Sequence, residues 1–448
     1  MIMVRISTLA NQRQSRAGHW LLWLLPARVS EHTQQTWRRL VSVESGLFSA
    51  ATRNSQQFTP NRETFVFDCS TAEKKPKNTN TDTNSDGGAS EETGSDKVLA
   101  FAVSPSGKLV ALTDDTKRLV LFRCEDSWQR ISIRWVVRRC TSLVFSHAED
   151  EVLVADKSGD VYSFSVAEPQ KEGELKMGHL SMVLAVTMTP NDKYVITADR
   201  DEKIRVSHLR SPYNIQSFCL GHQQFVSALL VPSGHPHWLL SGSGDGTMKL
   251  WEYESGRRLQ SCDLKELEET PSSEADEEKR PAVCRIISSP DGRHVAVQCE
   301  RVSTVQFFTL DQESEEKLVP HSRLPLPLCP LDMTFDPDGR LWVLMDSSDA
   351  PLQVYTHRQD SWKCDAESPE LNRVTKALKP HWETLQASAR TATSFEHLQK
   401  VTFDNVTLYL QKKQQRLEEQ QQKRKKFPQK ESQKANGNKK AKKETSST

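Results

Sequence analysis

The segment Ser241-Gly-Ser-Gly-Asp-Gly-Thr-Met-Lys-Leu-Trp-Glu252 decides the fold. Its first half is small and turn-forming, and its second half is a short strand ending in an aromatic ring. Glycines at 242, 244 and 246 resemble a cofactor loop. Such a loop should open a helix, because the helix N-terminus holds the phosphate. A strand follows here, so the glycines read as turn residues. Upstream, Gly221-His222 leads to Asp245 and the closing Trp251.

Similar turns recur outward from this segment. The tetrads are SPSG at 104–107, HAED at 147–150, TPND at 189–192, VPSG at 231–234, SPDG at 289–292 and DPDG at 336–339. Their spacings are 43, 42, 42, 58 and 47, and the long one contains an acidic insertion. The underlying period is that of a four-stranded propeller blade. Each tetrad precedes a short apolar run: KLVALT, EVLVAD, KYVITAD, HWLLSGS, HVAVQC or RLWVLM. A second blade repeats the fuller pattern, with Gly178-His179, then Asp201, then Ser207. His179 and His222 are read as buried fold histidines that partner Asp201 and Asp245, with the aspartate fixing the closing Trp251, since buried polar groups need such partners. The expectation is all-β: a seven-bladed WD-repeat β-propeller over 46–394. Its first blade uses RETFVFDCS at 62–70, and a strand from the opposite terminus closes the ring.

Composition marks what lies outside the propeller. Hydrophobic content is 36% and mean hydropathy −0.62, low enough to expect disordered parts. Residues 1–45 read as a disordered or atypical extension. Six arginines and one acid, Glu31, through position 43 resemble a targeting leader, but no regularly spaced amphipathic helix accompanies them. Residues 71–96 lack the large apolar side chains that ordering requires, and 265–281 form a second, acidic insertion; both are expected to be disordered. Nine scattered cysteines form no C-x-x-C pair, so reduced thiols are expected and no metal site. No apolar run reaches membrane length. No nucleophile elbow, Walker motif or metal-spaced histidine cluster appears, and no catalytic residue is assigned.

One surface departs from the repeat. Six of the seven positions 199–205 are charged, where 243–249 carry two charges among small turn residues. With Asp201 aligned on Asp245, the residues Asp199, Arg200, Glu202, Lys203 and Arg205 are not needed by the turn. A solvated face is the bland alternative. An electrostatic docking patch is the sharper one.

Several segments together give a resemblance. ADRDEKIRVS (198–207), ALTDDTKRLVLF (111–122), VADKSGDVYSFSV (154–166), MGHLSM (177–182), QSFCLGH (216–222), SGDGTMKLWEY (243–253) and KVTFDNVTLYLQKK (400–413) are similar to the WD-repeat non-catalytic subunit of tRNA (guanine-N7)-methyltransferase. The resemblance runs from about Phe65 to Lys426 and excludes the first fifty residues. It implies a heterodimer in which a catalytic subunit carries S-adenosylmethionine and forms N7-methylguanosine in the tRNA variable loop. This chain would be a scaffold without cofactor. Arg205 and Lys203 would pair with acidic groups of the partner, and Lys157 would join them.

The C-terminal part reads separately. Phe403, Val406, Leu410 and Leu417 recur at helical spacing within a helix expected over 395–426. Residues 411–443 hold thirteen Lys/Arg and three Glu, a net of +10 against +1 for the whole chain. Lys423, Arg424, Lys425, Lys426, Lys439, Lys440, Lys442 and Lys443 read as a nuclear import signal, or as tRNA phosphate contacts, on a tail disordered over 427–448. A nuclear location, shared with the cytoplasm, follows. A WD-repeat substrate adaptor of a ubiquitin ligase, or another nuclear interaction scaffold, stays open on fold grounds.

Overall fold

The computed structural model describes residues 2–5, 20–23, 40–44, 64–68, 73, 98–124, 128–264, 280–359, 361–379, 395–399 and 405–426. Most of the two insertions, and the tail beyond 426, lie outside them. The short β-branched runs between turns form strands, as their composition dictates. These strands make six antiparallel four-stranded sheets in chain order: A (98–135), B (140–178), C (183–219), D (226–263), E (283–325) and F (330–364). The first strand of each sheet lies against the first strand of the next, so the fourth strands form the outer edges. This is the WD-repeat propeller arrangement.

The core lies between blades. One cluster joins Leu119 and Leu121 of sheet A to Val152 and Val154 of sheet B. Another joins Ile196 and Val206 of sheet C to Leu239 and Trp251 of sheet D. A third joins Leu250 of sheet D to Val297 and Phe308 of sheet E. The blades between A and F thus bury both faces against their neighbours, which explains runs that are apolar at nearly every position.

The described residues hold six complete blades, and the count of seven is not reached. Residues 40–44 and 64–68 pair as a two-stranded sheet. Phe67 packs edge-on to Phe122 at 5.0 Å, against the free face of sheet A. Among the described residues no sheet joins strands from the two ends of the chain. Sheet F is completed by its own Ser361–Cys364 rather than by the expected strand from the opposite terminus.

The tetrads mark the turns between first and second strands, with two shifts of frame. His235 N–H donates to Pro232 O at 3.1 Å, so the fourth turn is 232–235 rather than 231–234. Glu149 N–H donates to Ser146 O at 3.0 Å, so the second turn is 146–149 rather than 147–150. Its left-handed position belongs to Glu149, with φ of 60°. Asp192 occupies the same place in the next blade, and its carboxylate accepts from the N–H groups of His147 and Ala148 at 2.8 and 2.7 Å. Glu149 likewise accepts from Ser106 Oγ at 2.8 Å. These turns therefore hold adjacent blades together by charge-assisted bonds.

After sheet F, α1 (Pro369–Leu378) packs on Leu352–Arg358, capped by Ser368 and opened by Pro369. It was not expected from sequence. A 3-10 turn, Glu396–Leu398, stands where the C-terminal helix was expected to begin. The α2 helix (Asn405–Lys426) belongs to a separate unit, 400–448. Its residues 409–419 are exposed. No helix among the described residues is long and apolar enough to cross a membrane.

Candidate protein-docking site

The ordinary blade tip is seen in sheet D. His222 Nδ1 lies 3.1 Å from Asp245 Oδ2, and its Nε2 lies 2.7 Å from Ser241 Oγ. Trp251 Nε1 donates to that same hydroxyl at 2.8 Å. Ser241, which sequence reading did not single out, therefore fixes the closing ring in place of the aspartate expected to do so. Asp245 instead accepts from the Thr247 N–H and hydroxyl. The glycines are held by packing. A Cβ at Gly242 or Gly244 would lie 2.3 Å from Val283 or Phe225, and Gly246 has φ of +73°. The segment joins two strands, so the loop is a turn, as its sequence implied.

Sheet C builds the same network from different residues. His179 Nδ1 lies 3.0 Å from Asp199 Oδ2, and its Nε2 lies 2.8 Å from Thr197 Oγ1. Asp199 Oδ1 accepts from the Lys203 N–H at 3.0 Å. Asp199 is 3% exposed. The alignment stands but the duty moves: Asp201 holds the turn position of Asp245 and is half-buried, while Asp199, at the position of Ser243, takes the histidine. Asp199 matches Asp114 and Asp156, which take the backbone N–H groups of their own turns from the end of the preceding strand. Burial alone would raise the Asp199 carboxyl. Hydrogen bonds from His179 and the Lys203 N–H outweigh it and hold the group below the usual carboxylate range.

Arg200 also has work inside the chain. Its backbone N–H donates to Met182 O at 2.9 Å and its Nε to Leu398 O at 3.2 Å. Phe395 stacks obliquely on Phe225 at 5.6 Å, and Leu398 is buried with Phe225 and Ala282. Residues 395–398 thus lie across sheets C to E, with Arg200 pinning them. Sequence reading missed this contact because nothing local to 395–398 encodes it.

The remaining charges differ in exposure. Lys203 is exposed, with Nζ 3.2 Å from Asp201 O. Glu202 takes a left-handed φ of 72°, where sheet D has Gly246. Lys157 is exposed on the hairpin tip of sheet B. The His179 N–H donates to Gly159 O at 2.8 Å, which brings that tip beside Gly178. Arg205 reaches the same place, donating from Nη1 to Gly178 O at 3.0 Å. Its Nε and Nη2 are buried and find no acceptor among the described residues. Burial lowers its pKa, which the nearby Asp199 partly offsets. Of the basic tail residues, Lys423 to Lys426 fall in the last turn of α2, and Lys439, Lys440, Lys442 and Lys443 lie outside the described residues.

No group of three or more metal-ligating side chains forms a metal site among the described residues. The arrangement offers hydrogen-bond donors and charge at a blade boundary, which suits recognition of an acidic protein surface.

Comparison with known proteins identifies the family. The family model described as the tRNA methyltransferase TRM82 WD40 domain matches residues 24–176 and 165–368. The chain is 59% identical over 383 residues to the tRNA (guanine-N(7)-)-methyltransferase non-catalytic subunit wdr4 of Danio rerio, covering 85% of this chain and 90% of the relative. It is 46% identical to the Homo sapiens subunit of that name, covering 78% and 82%. It is 31% identical to the Culex quinquefasciatus non-catalytic subunit wuho, covering 71% and 76%.

The two aspartates separate by mutation. Asp199→Asn is expected to cost roughly 1–3 kcal/mol of stability, while Asp201→Asn stays within about 0.5 kcal/mol. Because folding depresses the Asp199 pKa, its contribution is full above the unfolded carboxylate range and is lost as pH falls through the folded value. Thermal unfolding across acidic pH should therefore show a shallower decline for Asp199→Asn than for the parent chain. Equal effects of the two substitutions would contradict the assignment.

Proposed function

The chain belongs to the family of WD-repeat non-catalytic subunits of tRNA (guanine-N(7)-)-methyltransferase, and on that premise we propose that it holds the catalytic subunit through the charges of 202–205, with Arg205 as the anchor. The observation that carries this reading is the unpaired edge of Arg205. Nε and Nη2 together form the side of a guanidinium that takes a carboxylate bidentately. Leaving buried donors unmatched costs free energy, so an acceptor arriving from a partner is favoured there. A carboxylate of the catalytic subunit that draws the guanidinium outward supplies it. Lys203 and Lys157 add positive charge on the two neighbouring tips and guide the encounter.

The division of labour follows. The catalytic subunit binds the methyl donor and places the guanine; this chain supplies a rigid surface that steadies it. Asp199 and His179 hold the tip in shape, Arg200 fastens 395–398 beside it, and Arg205 and Lys203 meet the partner. Asp199 and Arg200 thus leave the set of direct contacts expected from sequence.

Arg205→Leu is expected to leave the propeller folded and weaken the heterodimer by roughly 2–5 kcal/mol, with tRNA N7-methylation falling in parallel. Arg205→Lys should rescue only part, because a point charge cannot replace the fork. Calorimetric titration of the purified subunits reads this directly. Unchanged affinity for Arg205→Leu would remove the anchor.

The basic tail is assigned nuclear import, with auxiliary contact to tRNA phosphates second. Its support is the net +10 of 411–443. Truncation after Glu419 should abolish nuclear accumulation of a tagged chain. It should also reduce the salt dependence of tRNA binding by the complex. Unaltered location and salt slope would leave an ordinary solvated tail.

A further inference from the structure

The outer strand Ser211–Cys219 of sheet C exposes large apolar side chains, and they surround the anchor. Ile215, Phe218 and Leu220 are 43–61% exposed, with Tyr213 at 82% beside them. Strict alternation would send Ile215 and Phe218 to opposite faces of the sheet. The register prevents this. Ser207 lies opposite Ile215 and Val206 opposite Ser217, so Gln216 is an extra residue. Such a bulge inverts the phase beyond it. Phe218 consequently stands opposite Arg205. Ser207 and Arg205 are two apart and share a face. Ile215 and Phe218 therefore share it too, side by side with the guanidinium. Leu220 follows at the end of the strand. Across the blade boundary, the outer strand of sheet B lies against this one. It ends at Gly178, whose carbonyl holds Arg205, and Leu180 just beyond it is fully exposed.

Scattered surface leucines need no explanation, but contiguous apolar side chains beside an unpaired cation do. An ion pair strengthens when apolar neighbours exclude water from it, the pattern seen where a few residues carry most of an interface. We propose that Leu180, Ile215, Phe218 and Leu220 form a water-excluding collar around Arg205. The collar receives from the catalytic subunit a segment whose carboxylate is flanked by large apolar side chains. The carboxylate meets Nε and Nη2, and the flanking side chains cover the collar. This rests on the reading of Arg205 as the partner's anchor and adds the chemistry that the partner segment must have. Charge complementarity selects that occupant, because a second copy of this chain would bring its own basic tip against this one.

The test uses the full-length chain with the intact catalytic subunit. Phe218→Ser with Leu220→Ser, and separately Leu180→Ser, are compared with Arg205→Leu in titrations at low and high salt. The side chains are exposed, so the unfolding temperature should stay close to that of the parent. The collar variants are expected to weaken the heterodimer by about tenfold and to steepen its salt dependence, since the ion pair becomes wetter. A photoreactive residue replacing Ile215 in an otherwise unaltered chain should crosslink to the catalytic subunit. Collar variants that leave affinity and salt slope unchanged, while Arg205→Leu weakens binding, would overturn the collar and keep the anchor. If no variant matters, both fall. Crosslinks only to a second copy, or only to tRNA, would also overturn it.

Discussion

At the hairpin tips of sheets A to D a buried carboxylate demands hydrogen bonds, and the surface chemistry of sheet C follows from meeting that demand. In sheet C the group is Asp199, enclosed between His179 and the Lys203 N–H. Its bonds fix the path of the chain from 199 to 203. Because the turn is satisfied from beneath, the side chains above it are released from structural duty. Sheet D meets the same demand with Asp245 and glycines, and displays almost nothing. Sheet C meets it with one aspartate and displays Lys203 and Arg205.

The separation of duties also explains a scaffold without chemistry of its own. The glycine-rich tip that could suggest a ligand loop is filled by Val283 and Phe225 from neighbouring elements, so its glycines mark close packing. The histidines that could suggest bases are spent on Asp199 and Asp245. Burial lowers the pKa of His222 even against the pull of Asp245, which suits a neutral structural ring. At the boundary of sheets B and C the surface is left with charge and apolar area. Those are the materials of protein recognition.

The repeat was legible because blade geometry imposes a period on turns and apolar runs, and SGSGDGTMKLWE shows both within twelve residues. The charged tip was legible because it violates that period. Three features were hidden for physical reasons. Asp199 and Asp201 are two residues apart and chemically identical, and only the path of the backbone decides which carboxylate turns inward. Gln216 shifts the phase of its strand, yet a bulge leaves no mark in composition. Arg200 and Leu398 meet across nearly two hundred positions, a contact set by the return of the chain after sheet F to the tips of sheets C to E. The count of seven blades came from adding the strand near Phe67 to six tetrads. The fold gives that strand a single described partner, 40–44.

This chain acts by holding a catalytic subunit and performs no methyl transfer itself. N7-methylguanosine formation on tRNA with S-adenosylmethionine reads this directly, for this chain alone, the catalytic subunit alone and the two mixed at rising ratios. No product is expected from this chain alone, and activity should rise and saturate at one chain per catalytic subunit. Product formed by this chain alone, or activity of the catalytic subunit unaffected by its addition, would contradict it.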